Sequence, residues 1–200
     1  MPMDIIELKR LFDISSRSHK HLCPRQVLGV RIGLKGLSLL GLDESSAQKN
    51  LLVISETDGC FIDGLIAATK CVVGHRTLRI EDYGKIAAVF VHTKTGQTVR
   101  IAPQLNVREK AWQYAPDESR HYFAQLQAYQ IMPDEELMLV QNVTLRTPIA
   151  QILSLPSVRI NCDQCGEEVI NGREVIINGQ RYCHTCALGG YYKEEGKKLS

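Results

Sequence analysis

The chain of 200 residues is 44% hydrophobic and 23% charged, with a formal net charge of +2. This is the composition of a globular protein with room for one domain and a small module, and its near-neutral charge offers no general attraction to nucleic acid or to an acidic membrane. No window holds the roughly eighteen apolar residues a membrane helix needs, and the opening MPMDIIELKRLF lacks a signal-peptide core, so the expected location is the cytoplasm.

Residues 3–13 carry Ile5, Ile6, Leu8, Leu11 and Phe12 at helical spacing. A polar stretch, SRSHKHLCPRQ, then leads to Pro24, which suits the first turn of a helix because its missing N–H is not needed there. Val27, Leu28, Val30, Leu34, Leu37 and Leu40 continue that helix, and Gly41 is placed to stop it. Gly29 and Gly33, four apart, leave a shallow strip for another backbone, either as internal packing or as a dimer seam. LLVISET (51–57) reads as a buried strand, and 60–73 as a helix with Phe61, Ile62, Leu65, Ile66 and Ala68 on its apolar face. Two β-rich runs around Thr95-Gly96 predict a hairpin within 84–103. Val107–Tyr114 and Ser119–Gln130 read as helices separated by Pro116, while 136–145 suits a strand or a helix equally. Pro148 and Pro156 bracket a connector, which divides the chain into a domain of residues 1–155 and a module of 156–200 with a charged tail. The order of elements predicts an α+β domain with helices packed against one sheet.

Seven cysteines include two CxxC pairs, Cys162/Cys165 and Cys183/Cys186, with seventeen residues between the pairs. In a reducing compartment this spacing favours a metal held by thiolates over disulfides. Val175–Ile177 and Gln180–Tyr182 flank Asn178-Gly179, a favoured two-residue turn, so the sequence predicts a zinc ribbon with its CxxC knuckles at the ends of a hairpin. Four protein ligands leave no open position, so this Zn2+ is structural. His184 is expected at the surface. From Ser157 to Ser200 six basic residues (Arg159, Arg173, Arg181, Lys193, Lys197, Lys198) face six acids (Asp163, Glu167, Glu168, Glu174, Glu194, Glu195). That balance supplies little phosphate attraction, so nucleic acid is not the expected partner and a protein-facing role is favoured.

HKHLC (19–23) is ambiguous by itself. His19 and His21 on an extended segment point the same way and can share a zinc, nickel, iron or copper ion with a thiolate, or they can be surface histidines. Cys60 opens the predicted second helix, where the local dipole favours thiolate, and Cys71 lies about three turns away at its end. The bland alternative for each is a small buried cysteine.

HKHLCP, TDGCFIDGL, TKCVVGHRTL and YGKIAAVF, in that order, resemble the FmdE family, named for a component of formylmethanofuran dehydrogenase. Its members carry a His-x-His-x-Cys-Pro start, a Cys-x-x-Asp element and a Thr-Gly-Cys-Thr-x-Gly element, many with a C-terminal zinc ribbon. The resemblance spans roughly residues 10–200. It implies an α+β fold with a mixed sheet, a tendency to form homodimers, and a pocket for a second transition metal (zinc, nickel or iron). His19, His21 and Cys23 match the first motif, Cys60 and Asp63 the second, Cys71 and Gly74 the third. The implied ligands are His21 and Cys60, with His19 or Cys23 beside them, and Asp63 orienting a histidine ring. Arg25 stands where the family has a glycine, and Lys70 and Val72 replace the glycine and threonine beside the third-motif cysteine. These changes point to an anion-tolerant rim of Arg25 and Lys70, with Cys71 packed. Glu56 and Asp58 suit a general base or acceptors for the ligands, or else solvated carboxylates. His75 and Arg76 suit a pocket mouth or a loop, His92 and His121 structural positions, and Trp112 and Tyr114 core or dimer contacts.

The resemblance implies a metal-binding accessory protein or subunit of a molybdenum or tungsten dehydrogenase system, with oxidoreductase partner proteins. The alternatives are a metal-dependent enzyme with an open His/Cys site, and a zinc-ribbon regulator of transcription machinery. No P-loop, dinucleotide fingerprint, HExxH or nucleophile elbow is present to assign a reaction.

Overall fold

Leu8, Leu11 and Phe12 recur at helical spacing, and burying that stripe forms α1 (Ile5–Ser16). The structure, a computed structural model, describes residues 5–17, 19–153, 155 and 157–192. By its internal contacts the chain divides into two units, Met1–Arg146 and Thr147–Ser200.

In the first unit, Pro24 opens α2 (Pro24–Leu39) as its first residue. Gln26 ties that start to the end of α1: its Oε1 accepts the Cys23 N–H at 2.8 Å and its Nε2 donates to the Ser15 carbonyl at 2.6 Å. The helix ends before Gly41, whose φ of +63° is costly for other residues. Asp43 caps a helix that periodicity did not reveal, α3 (Glu44–Asn50), by accepting the Ser46 N–H at 2.8 Å. That backbone bond, with help from the Ser46 hydroxyl, holds the Asp43 carboxyl down at about 2.

Strand β1 (Leu51–Ser55) follows, then α4 (Cys60–Thr69), β2 (Leu78–Ile80), β3 (Ala88–His92) and β4 (Thr98–Pro103). Helix α4 is shorter than the predicted 60–73. Lys70 turns into the left-handed region at φ 58° and its N–H closes the last turn on Ile66, so Cys71 leaves the helix and enters the core. The hairpin at Thr95-Gly96 joins β3 to β4, with Gly96 at φ +76°.

After α5 (Val107–Tyr114) and α6 (His121–Ile131), the segment that suited either helix or strand is both: α7 (Asp134–Leu137) runs straight into β5 (Met138–Asn142). Three acids behind Pro133 favour the helical turn, and pairing with β4 takes the rest. The sheet order is β2-β1-β3-β4-β5, with β1 and β2 parallel and the other pairs antiparallel, so the sheet is mixed and the fold α+β as expected.

Helix α2 lies directly on α4, backbone to backbone. A Cβ on Gly29 would sit 2.2 Å from the Phe61 carbonyl oxygen, and one on Gly64 would sit 2.3 Å from the Gln26 carbonyl oxygen. The glycine strip is therefore internal packing. At the far end of α2, Gly36 makes room for the buried Phe90 ring of β3. Arg31, also on α2 and almost fully buried, donates to the carbonyls of Tyr129 and Met132 and to Asp134, which locks α2 to the end of α6. Among the described residues no helix is long and apolar enough to cross a membrane.

The second unit holds α8 (Ile149–Ile152), a β6–β7 hairpin (Arg159–Asn161, Glu168–Ile170), a β8–β9 hairpin (Val175–Ile177, Gln180–Tyr182) and α9 (His184–Leu188). Asn178 and Gly179, both at positive φ, make the predicted turn of the second hairpin.

Gly29→Ala should cost about 1–3 kcal/mol in urea unfolding, whereas Gly74→Ala, with open space around it, should be neutral; equal midpoints would mean the two helices do not meet through their backbones. Burial alone would raise the Asp134 carboxyl, but Arg31 and Lys35 outweigh it and the net shift is downward. The stabilisation this group adds is present above the ordinary carboxyl range, about 3.9, and is lost as pH falls through the depressed folded value. Asp134→Asn should therefore be less stable than wild type at pH 7, with the gap narrowing below about pH 4, as read by unfolding midpoints across pH.

Candidate metal centre and thiol cleft

In the second unit, Cys162 follows β6 and Cys165 sits in the turn to β7, while Cys183 follows β9 and caps α9, with Cys186 in that helix. The first knuckle thus tops the β6–β7 hairpin, a second hairpin beyond the one predicted at Asn178-Gly179. The second opens a short helix, whose free N–H groups serve sulfur: Cys186 N–H donates to Cys183 Sγ at 3.3 Å. Cys183 N–H in turn donates to Cys162 Sγ at 3.3 Å. The four Sγ atoms lie within 4.8 Å of one another.

Backbone N–H groups, that of Cys165 foremost, hold the Cys162 thiol down at about 6, whereas the neighbouring Cys183 sulfur pushes Cys186 up to about 12. One thiolate forms readily and opposes the next, and a bound dication removes that opposition. Cys165 Sγ and Cys183 Sγ are 3.9 Å apart. A tetrahedral Zn2+ with bonds of about 2.3 Å spaces its sulfurs about 3.8 Å apart. The donor set fits a structural zinc with no position left for substrate. His184 is exposed and is not one of the four ligands.

In the first unit, the packing of α2 on α4 brings two more thiols together. Cys23 caps α2, Cys60 begins α4, and both line one cleft. Burial, reinforced by the Cys60 thiol, pushes the Cys23 thiol above its ordinary value. One turn after Cys60, Asp63 Oδ2 lies 2.8 Å from His19 Nε2. A carboxylate only accepts, so Nε2 carries the proton and Nδ1 is left as the ligand atom of a neutral His19 ring. His21 is exposed and is not among the residues lining the cleft beside the thiols. Among the described residues, the ribbon cysteines form the one group that gathers three or more ligand atoms within 4.8 Å; His19, His21, Cys23 and Cys60 do not.

That cleft, of about 420 Å³, is walled by Cys23, Cys60 and Arg25 on one side and by Arg108, His121, Tyr122 and Gln125 on the other. His121 Nε2 contacts the Arg108 carbonyl at 2.8 Å and its ring stacks on Trp112 at 5.2 Å. The sequence marked His121 only as structural and Trp112 as a core or dimer contact, and did not single out Arg108, Tyr122 or Gln125. No spacing rule joins α5 and α6 to a cysteine some hundred residues earlier. The basic and aromatic run RHYF (120–123) was the nearest signal.

The other candidates lie elsewhere. Glu56 is buried and bound by both Arg100 Nε, at 2.5 Å, and Arg100 Nη2, at 2.7 Å. Cys71 is buried at the opposite end of α4, where burial pushes its thiol up. Asp58 and His75 are exposed, and His92 Nδ1 accepts turn N–H groups from Lys94 and Thr95. Lys70 bonds the Ala67 carbonyl and does not line the cleft, so of the expected anion-tolerant rim only Arg25 is there.

An α+β domain with paired thiols beside a cleft, followed by a four-cysteine zinc module, defines the class of protein. The chain belongs to the FmdE family, "FmdE, Molybdenum formylmethanofuran dehydrogenase operon", whose profile matches residues 18–159. It resembles the crystal structure of a tungsten formylmethanofuran dehydrogenase FmdE-like protein from Syntrophus aciditrophicus, with a TM-score of 0.60 and 18% identity over 96% of this chain and 100% of that one. At that identity the likeness concerns the fold. Over 98 residues, 48% of its length, it is 35% identical to a "Probable S-adenosyl-L-methionine-binding protein" of Archaeoglobus fulgidus. The matched segment spans 27% of that relative's length.

Cys162→Ser or Cys183→Ser should release the zinc and abolish the folded signature of the second unit, while unfolding of the first unit keeps its wild-type midpoint. Metal analysis alongside two-dimensional NMR would read both, and retention of zinc by either variant would overturn the ligand set.

Proposed function

We propose that this protein is a metal-binding accessory protein of a molybdenum or tungsten formylmethanofuran dehydrogenase-type system. Its first unit takes one transition metal (zinc, nickel or iron) at Cys23 and Cys60, and its second is a structural module. The observation that carries the reading is the placement of those two thiols, remote in sequence, on one cleft at the starts of α2 and α4. His19, with Nε2 held by Asp63 and Nδ1 left to ligate, is the third donor in the proposal. His21 is the fourth, reached by a shift of the exposed 19–21 segment. Such a set would supply a dication with a soft, partly neutralised environment. The family's operon description and the name of the Syntrophus relative support the association with an oxidoreductase partner. The boundary near residue 155, a homodimeric state and a cytoplasmic location belong to the same proposal.

The open cleft favours a second reading, a metal-dependent enzyme in which a small molecule reaches the thiol site. The balanced charge of the C-terminal module leaves the transcription-regulator reading in third place.

Metal analysis of purified protein tests the proposal. Wild type should carry two metals per chain, Cys60→Ala and Cys23→Ala one each, and Cys162→Ser a different one. A single metal per wild-type chain, unchanged by Cys60→Ala, would overturn it. The accessory reading further expects wild type, and not Cys60→Ala, to co-purify with a molybdenum or tungsten dehydrogenase; turnover of a small molecule by the isolated protein would favour the enzyme.

A further inference from the structure

We infer that the cleft beside Cys23 and Cys60 binds a small organic molecule through a carboxylate or phosphate group held by Arg25 and Arg108. This deepens the metal-site reading, and depends on it only for what occupies the thiol end.

The charged side chains of the cleft wall are both cationic, and no carboxylate lines it. Among the described residues neither Arg25 nor Arg108 forms an ion pair. Two arginines from segments far apart in sequence therefore line one opening without an ion pair, and an oxyanion bound there gains from both charges. The planar fork of arginine suits two-point binding of a carboxylate or phosphate, where a lysine would act as a point charge.

The opposite wall is preset. The Arg108 carbonyl accepts from His121 Nε2, so Nδ1 of the neutral ring is left for other contacts, and Trp112 stacked on the ring limits its rotation. Gln125, one turn along α6, adds an amide on the same helix face. Tyr122 supplies a flat apolar surface. A volume of about 420 Å³ suits a metabolite-sized ligand and is too small for a folded partner. Arg25 is exposed while Cys23 is half-buried, so the anionic group sits at the mouth and the rest of the molecule reaches toward the thiols.

Trp112 is the only tryptophan, so its fluorescence reports on the His121 wall. Wild type should show a saturable change on titration with acetate and succinate or with inorganic phosphate and glycerol phosphate, and the series that binds names the headgroup. Arg25→Gln and Arg108→Gln should each weaken binding by about tenfold, the loss of one charge-assisted pair. The double variant should not respond, and melting curves check that all three variants remain folded. No saturable change with any probe, or equal affinity in the double variant, would overturn the inference. Cys60→Ala separates the two readings: arginine-dependent binding in that variant upholds the anion site even if the metal site fails, while two metals without anion binding sink the anion site alone.

Discussion

The first unit is organised around a close approach of two helices. Gly29 and Gly64 let α2 and α4 meet through their backbones, and any side chain at either position would collide with a carbonyl oxygen of the other helix. Cys23 and Cys60 stand at the starts of those helices, so the contact that seals the core also sets the two thiols side by side. Both thiols are carried on helix starts and not on free loops. Gln26 joins α1 to the Cys23 backbone, and Arg31 joins α2 to α6, which carries half of the cleft wall.

The two cysteine clusters follow opposite designs. In the second unit four sulfurs converge with their own backbone N–H donors, and a cation completes a closed shell that a module this small needs in order to hold together. In the first unit a large core already supplies stability, so its thiol pair is free to face a cleft. The histidines that accompany it lie on an exposed loop, and one of them is held by Asp63.

Two basic residues that flank the helices of the seam are placed differently. Lys70 forms a left-handed helix cap, φ 58°, and directs its ammonium group to the carbonyl of Ala67, which keeps it out of the cleft. Arg25, the second residue of α2, lines the cleft. One cation is absorbed by local backbone chemistry and the other stays at the opening.

What the sequence determined by itself was local. The apolar stripe of α2, the Leu8, Leu11 and Phe12 part of that of α1 (its Ile5 and Ile6 are exposed), the Pro24 start, the Thr95-Gly96 and Asn178-Gly179 turns and the CxxC pairs all express short-range rules, and the structure contains each of them. The capping of α3 by Asp43 was legible too, in DESS, but not to a reading that followed hydrophobic spacing alone. The tertiary structure decided the rest. It showed that residues 134–142 are a helical turn feeding an edge strand, that Gly29 faces α4 within the same chain, that Glu56 is committed to Arg100, and that Arg108 and His121 share a cleft with Cys23. Each of these depends on which distant segments pack together, and the identity of a packing partner leaves no periodic trace in the residues on either side.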